Sequence, residues 1–253
     1  MKDNYIKTYL NANHPIIFKG LGKYQSLTYR EILDVGIEEY NVLLNCLLID
    51  KTAFEETNNF SNLQSTVIMC AIEYDIKLKV FEAIGLFFKE KPKLYCSGDD
   101  INSLTIYFGE YDEKRHFTDS HWDMFVKIIR LEHNIKEEKT IKFANERARQ
   151  FYMRFEKLKK ENPEKEKVSM DSIIEGISVK SRNLNILQIW DLTTYQIMRQ
   201  FARLINVEDY ENILLGIYTG NVDGTKIKLQ DIHWANIFEE QKENKKTMKE
   251  GMI

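Results

Sequence analysis

The side chains best suited to chemistry in this chain are its histidines and a scatter of carboxylates in turns. His116 and His121 have Asp119 and Asp123 close by. Such groups hold a divalent ion when their spacing brings them to one point. A separation of five is not a helical repeat, so the two imidazoles fall on different faces and no zinc-type spacing is met. Ordinary surface residues are expected there. Gly98-Asp99-Asp100 and Asp223-Gly224 carry carboxylates that acid and base catalysis can use, but turns favour Asp beside Gly for backbone reasons alone. Lys19-Gly20-Leu21-Gly22 lacks the GKS or GKT ending of a phosphate loop and reads as a turn. No GxSxG, HExxH, Walker or dinucleotide fingerprint occurs. The residues therefore predict a protein that is not an enzyme, with no catalytic residue, no cofactor and no metal.

Composition bounds the rest. A chain of 253 residues with 43% hydrophobic residues can bury a real core. The net charge of -3 gives no reason to expect a nucleic-acid or membrane-surface partner. Arg147, Arg149, Arg154, Lys157, Lys159 and Lys160 alternate with Phe151 and Tyr152. Glu146, Glu156 and Glu161 share that segment, which makes it a solvated helix face and not a phosphate-binding footprint. With 30% charged residues but only 3 prolines and 11 glycines, long solvated helices are favoured over a turn-rich β chain. Cys46, Cys70 and Cys96 are odd in number and form no CxxC pair, so free thiols in a reducing compartment are expected. The longest apolar run, Val42 to Ile49, is too short to span a bilayer. A cytoplasmic protein is expected.

The pattern along the chain predicts a mainly α fold with a small β element (α+β). Residues 1–134 form an α+β lobe, 135–168 a charged helix and linker, 169–238 a helical lobe and 239–253 a disordered tail. In the first lobe Tyr5–Leu10 and Ile16–Phe18 read as short paired strands, and Thr28 with Glu31 has capping-box spacing. Gly36 marks a break or a close packing contact before an apolar helix placed in the core. Leu63 to Ala71 is apolar and of ambiguous type. Asp75 is placed to cap a Phe-rich helix that stops at Pro92. Leu94–Cys96 and Leu104–Phe108 read as a β-hairpin, and a residue among Thr118, Asp119 and Ser120 caps the helix of Trp122, Phe125, Val126 and Ile129. In the second lobe Met170 to Val179 is amphipathic. Ile186, Leu187, Ile189 and Trp190 read as strand-like. Two helical patterns follow, Tyr195 to Ile205 and Ile213 to Tyr218, ending at Gly220 where a positive φ is needed.

Three stretches resemble proteins encoded in the tail-assembly region of long-tailed phages of Gram-positive bacteria. One is PIIFKGLGKYQSLTYREILDVGIEEYNVLLNCLLID, with Lys19, Gly20, Gly22, Ile32, Gly36 and Tyr40 in the pattern. Another joins FEAIGLFFKE, a hairpin and HWDMFVKIIRLEHNI. The third is IWDLTTYQIMRQFARL, with Leu192, Thr193, Tyr195, Gln196, Phe201 and Arg203 in place. The resemblance implies a tail assembly chaperone that keeps the tape measure protein soluble while tail tube subunits polymerise around it. It transfers no catalytic residue. Its partner would be the tape measure protein, with the tail tube protein and self-association as further contacts. On that reading Trp190, Tyr195, Met198, Phe201 and Trp234 form a docking surface, though an aromatic helix stripe is equally the stuff of a core. A permanent tail or baseplate component, and a host-directed interference or nucleic-acid-binding protein, stand as the alternatives.

Overall fold

A computed structural model describes residues 3–48, 60–95, 104–110, 115–135, 168–181 and 183–235. The fold is mainly α with two small two-stranded sheets. The chain divides into two compact units: Met1–Ser169 with Trp190–Tyr195, and Met170–Ile189 with Gln196–Ile253. The charged helix, its linker and the C-terminal tail expected from the sequence fall on residues 136–167 and 236–253, outside the described residues.

Unit 1 opens with α1 (Asp3–Asn11) where a strand was expected. Ile6 and Leu10 are four apart, and that spacing buries one helical face where alternation would have split them between two sides of a strand. The strand partner of β1 (Ile16–Phe18) is instead β2 (Gly22–Tyr24), with Ile16 opposite Tyr24 and Phe18 opposite Gly22. Side chains alternate along β1, so Ile16 and Phe18 enter the core while Ile17 stays exposed.

Helix α2 (Tyr29–Val35) carries the expected capping box: the Glu31 amide donates to Thr28 Oγ1 at 3.2 Å and the Thr28 amide to Glu31 Oε2 at 2.8 Å. Gly36 ends it at φ 94°, a value side chains with a Cβ resist, and α3 (Ile37–Leu47) starts at once. Only one face of α3 is in the core, through Tyr40, Leu43, Leu44 and Leu47, whereas Ile37 and Val42 are exposed. The ambiguous run becomes α4 (Asn62–Ile72), started by a second capping box between Ser61 and Gln64. The following α5 (Tyr74–Phe88) has Asp75 in its first turn but Glu73 at its cap, without a side-chain bond.

The hairpin is present as β3 (Pro92–Tyr95) against β4 (Thr105–Phe108). Residues 115–117 lengthen it, because the Phe117 amide donates to the Ile106 carbonyl at 2.8 Å. Thr118 then caps α6 (Asp119–Glu132). Phe87 and Phe88 of α5 meet Phe125 of α6, Phe108 of β4 and Phe117 at centroid distances of 5.2–6.1 Å, the range of favourable tilted and edge contacts. Each such ring contributes about 1.5–3 kcal/mol on burial.

Unit 2 holds α7 (Met170–Lys180), α8 (Ile186–Trp190) up to Ile189, and α9 (Thr194–Tyr218) from Gln196 onward. Ile173, Ile174 and Ile177 give α7 its buried face. The run expected as strand-like is helical in α8, because Asn185 and Gln188 cap each other reciprocally at 3.0 Å. The two helical patterns expected after it are one continuous helix of 25 residues. The intervening NVEDYEN contains neither Gly nor Pro, so nothing in it stops a helix already propagating. Gly220 takes φ 74° just past the end, as expected. The chain then folds back, and the Val222 amide donates to the Gly216 carbonyl at 3.0 Å.

Candidate functional site

The five residues nominated for docking are shared between the units. Trp190 and Tyr195 bound a short crossing segment that belongs to unit 1. There the Tyr29 amide donates to the Leu192 carbonyl at 2.8 Å, and Thr28 pairs with Thr193 as an isolated antiparallel bridge. Trp190 lies 5.5 Å from the Tyr29 ring, and Arg30 Nε reaches Asp191 Oδ1 at 2.7 Å. Tyr195 is buried and Trp190 half-buried. In unit 2, Met198 and Phe201 are half-buried on α9. Trp234 is 42% exposed, its ring stacked on His233, which in turn leans on Tyr210. The Arg203 guanidinium donates to the Trp234 carbonyl and ties this corner to α9.

The candidate metal residues are engaged elsewhere. Asp119 accepts from the Ser61 hydroxyl, Asp123 accepts from Asn62 Nδ2 at 3.3 Å, and the His121 ring stands edge-on to Phe18. Among the described residues no three His, Cys, Asp or Glu side chains converge on a point that would hold an ion. Asp223 caps its own turn by accepting from the Thr225 amide, and Asp99 and Asp100 lie outside the described residues.

One polar cluster was missed by the sequence reading. Glu132, in the last turn of α6, is 1% exposed. Its Oε2 accepts from the Tyr24 hydroxyl and, at 3.0 Å, from Ser26 Oγ, while its Oε1 meets no donor among the described residues. The next residue, His133, has Nδ1 3.0 Å from the Ile129 carbonyl and Nε2 2.8 Å from the Tyr40 hydroxyl. The carbonyl can only accept, so Nδ1 carries a proton and donates to it, and Nε2 is hydrogen-bonded to the phenol. Tyr24 is stacked on Phe87 at 5.2 Å, an apolar wall beside the carboxyl.

Burial pushes the Glu132 carboxyl above the usual range, outweighing the neighbouring His133 and the two hydroxyls that favour the anion. Burial and the Glu132 charge together push the Tyr24 phenol well up, and Tyr40 rises for the same two reasons. With Tyr24, Ser26, Tyr40 and Glu132 each at 5% exposure or less, the cluster offers no solute a way in. The clue in the sequence was periodicity. Glu132 continues Phe125, Ile128 and Ile129 at helical spacing, an acid on an apolar face.

These features define a mainly helical protein, and one part of it is similar to a phage-type family. The family model of the YomV second domain, a Bacillus phage-type family, matches residues 159–239, which contain α7, α8 and α9 whole. No curated protein and no solved structure matches the chain. Among the described residues no helix is long and apolar enough to cross a membrane.

Proposed function

We propose that this is a non-enzymatic phage tail assembly chaperone that binds the tape measure protein during tail morphogenesis. The observation that carries the reading is the phage-type match over residues 159–239, because it encloses IWDLTTYQIMRQFARL, one of the three stretches on which the resemblance to tail assembly proteins rests. The exposure of Val179, Leu187, Leu215, Tyr218 and Trp234 in unit 2 supports it, since a long amphipathic partner helix is held by apolar side chains of this kind. Trp234, Met198 and Phe201 are the docking residues of unit 2 in this reading, whereas of the crossing segment Tyr195 is buried and Trp190 packs on Tyr29, so these two hold the segment in place. The tail tube protein and a second copy of the chain are the further contacts it allows.

Co-expression with a tape measure segment tests the proposal. The partner is expected in the soluble fraction with the wild-type protein and largely in inclusion bodies with Trp234→Ala, a change at an exposed side chain that leaves the fold intact by circular dichroism. Recovery of the segment in inclusion bodies whether or not this protein is present would sink the reading.

A further inference from the structure

The Glu132 cluster does something that neither the phage-type match nor the chaperone reading asks of it. A carboxylate taken out of water needs a cation or a full set of donors. Glu132 has two hydroxyl donors on Oε2, none on Oε1, and no lysine or arginine bonded to it among the described residues. The groups that face it are Tyr24 and Ser26 at the end of the first hairpin and Tyr40 from α3, joined through the His133 ring at the end of α6. From α5 it is walled by Phe87, stacked on Tyr24. The charged pair of α6 with α1, Lys127 with Asp3, is a half-exposed surface contact. As an anion, Glu132 would keep a charged oxygen in this wall without a donor. As a neutral acid it leaves only a dipole unpaired, a far smaller cost.

We infer that unit 1 folds with a proton on Glu132, so that its core is a proton-responsive lock that tightens in acid and loosens in alkali. The sign follows from linkage. A carboxyl that holds its proton more tightly in the folded than in the unfolded chain stabilises fully below the unfolded value, and that contribution is lost as pH rises through the folded one. The upward push of burial on Glu132 acts in this direction. His133, against Tyr40, and the two phenols, both pushed up by burial, also belong to this cluster. All three are common to the wild type and a Glu132→Gln variant, so to first order they cancel when the two are compared.

The full chain and Glu132→Gln, which keeps the shape without the titration, are unfolded in urea from about pH 5 to about pH 8. The unfolding constant of the wild type relative to the variant is expected to rise by up to about tenfold per pH unit above the ordinary glutamate value of about 4.3, until the folded value is passed. Parallel pH profiles overturn the inference. Should Glu132→Gln fail to fold, infrared spectra of the wild type in heavy water decide alone. The carbonyl stretch of a protonated carboxylic acid at neutral pH, slow to exchange, is the expected result, and a spectrum holding only carboxylate bands overturns it.

Discussion

The Tyr24 hydroxyl and the Glu132 carboxyl bind each other inside a wall of phenylalanines, and two side chains so placed are worth more together than apart. Tyr24→Phe keeps the ring stacked on Phe87 and removes one donor from Oε2, leaving Ser26 to hold it alone. The expected loss is about 0.5–1.5 kcal/mol of unfolding free energy, the net contribution of one hydrogen bond, read from urea denaturation. In the background of Glu132→Gln the same change should cost less, and strict additivity of the two would show that they do not act as a pair. At this scale the sequence was readable only in part. An acid at helical spacing from Phe125 and Ile129 can be seen in a string of letters, but its donors Tyr24 and Ser26 come from more than a hundred positions away, and no local pattern announces them.

Elements were legible where their signals are local. The Thr28–Glu31 box, the positive φ at Gly220 and the β3–β4 hairpin each rest on residues a few positions apart, and each is present. Signals that compete locally misled: Ile186–Trp190 has strand composition, but a reciprocal Asn185–Gln188 cap makes it helix. Two glycines inside helices give a paired test of what packing adds to propensity. A Cβ built on Gly176 of α7 meets nothing within 4 Å, so Gly176→Ala should stabilise by about 0.5–1 kcal/mol through helix propensity. A Cβ built on Gly216 of α9 would lie 2.7 Å from Val222 Cγ2. Valine is stiff at χ1, so the returning chain has to shift and the Val222 amide loses its bond to the Gly216 carbonyl. Gly216→Ala should therefore lower the melting temperature despite the same gain in propensity, and amide exchange at Val222 should quicken. A rise in melting temperature for both variants would mean that the return of residues 219–227 onto α9 contributes little.

At the scale of the molecule, the chain leaves unit 1 after Ser169 and returns to it at Trp190–Tyr195. Composition marks stretches such as the charged run near residue 160, but a backbone pairing of Tyr29 with Leu192 spans most of the chain and leaves no mark in either segment alone. Its components differ in weight. The Arg30–Asp191 pair is half exposed or more on both sides, and pairs of that kind are screened and weak. The ring contact of Trp190 with Tyr29 and the burial of Tyr195 carry more, since aromatic pairs add about 0.5–1.5 kcal/mol beyond the area they cover. Trp190→Ala should therefore free the segment locally. Exchange of the Tyr29 amide, which reports the bond to Leu192, should accelerate by about tenfold, the equivalent of roughly 1.4 kcal/mol. Phe117, whose amide is bonded to Ile106 inside the aromatic core, should exchange as before. Arg30→Ala should move Tyr29 much less. If Tyr29 and Phe117 instead speed up together in Trp190→Ala, the segment opens only with the whole of unit 1 and is part of its core. If neither changes, the Tyr29–Leu192 bond is held without the indole, and the strength assigned to the ring contact is wrong.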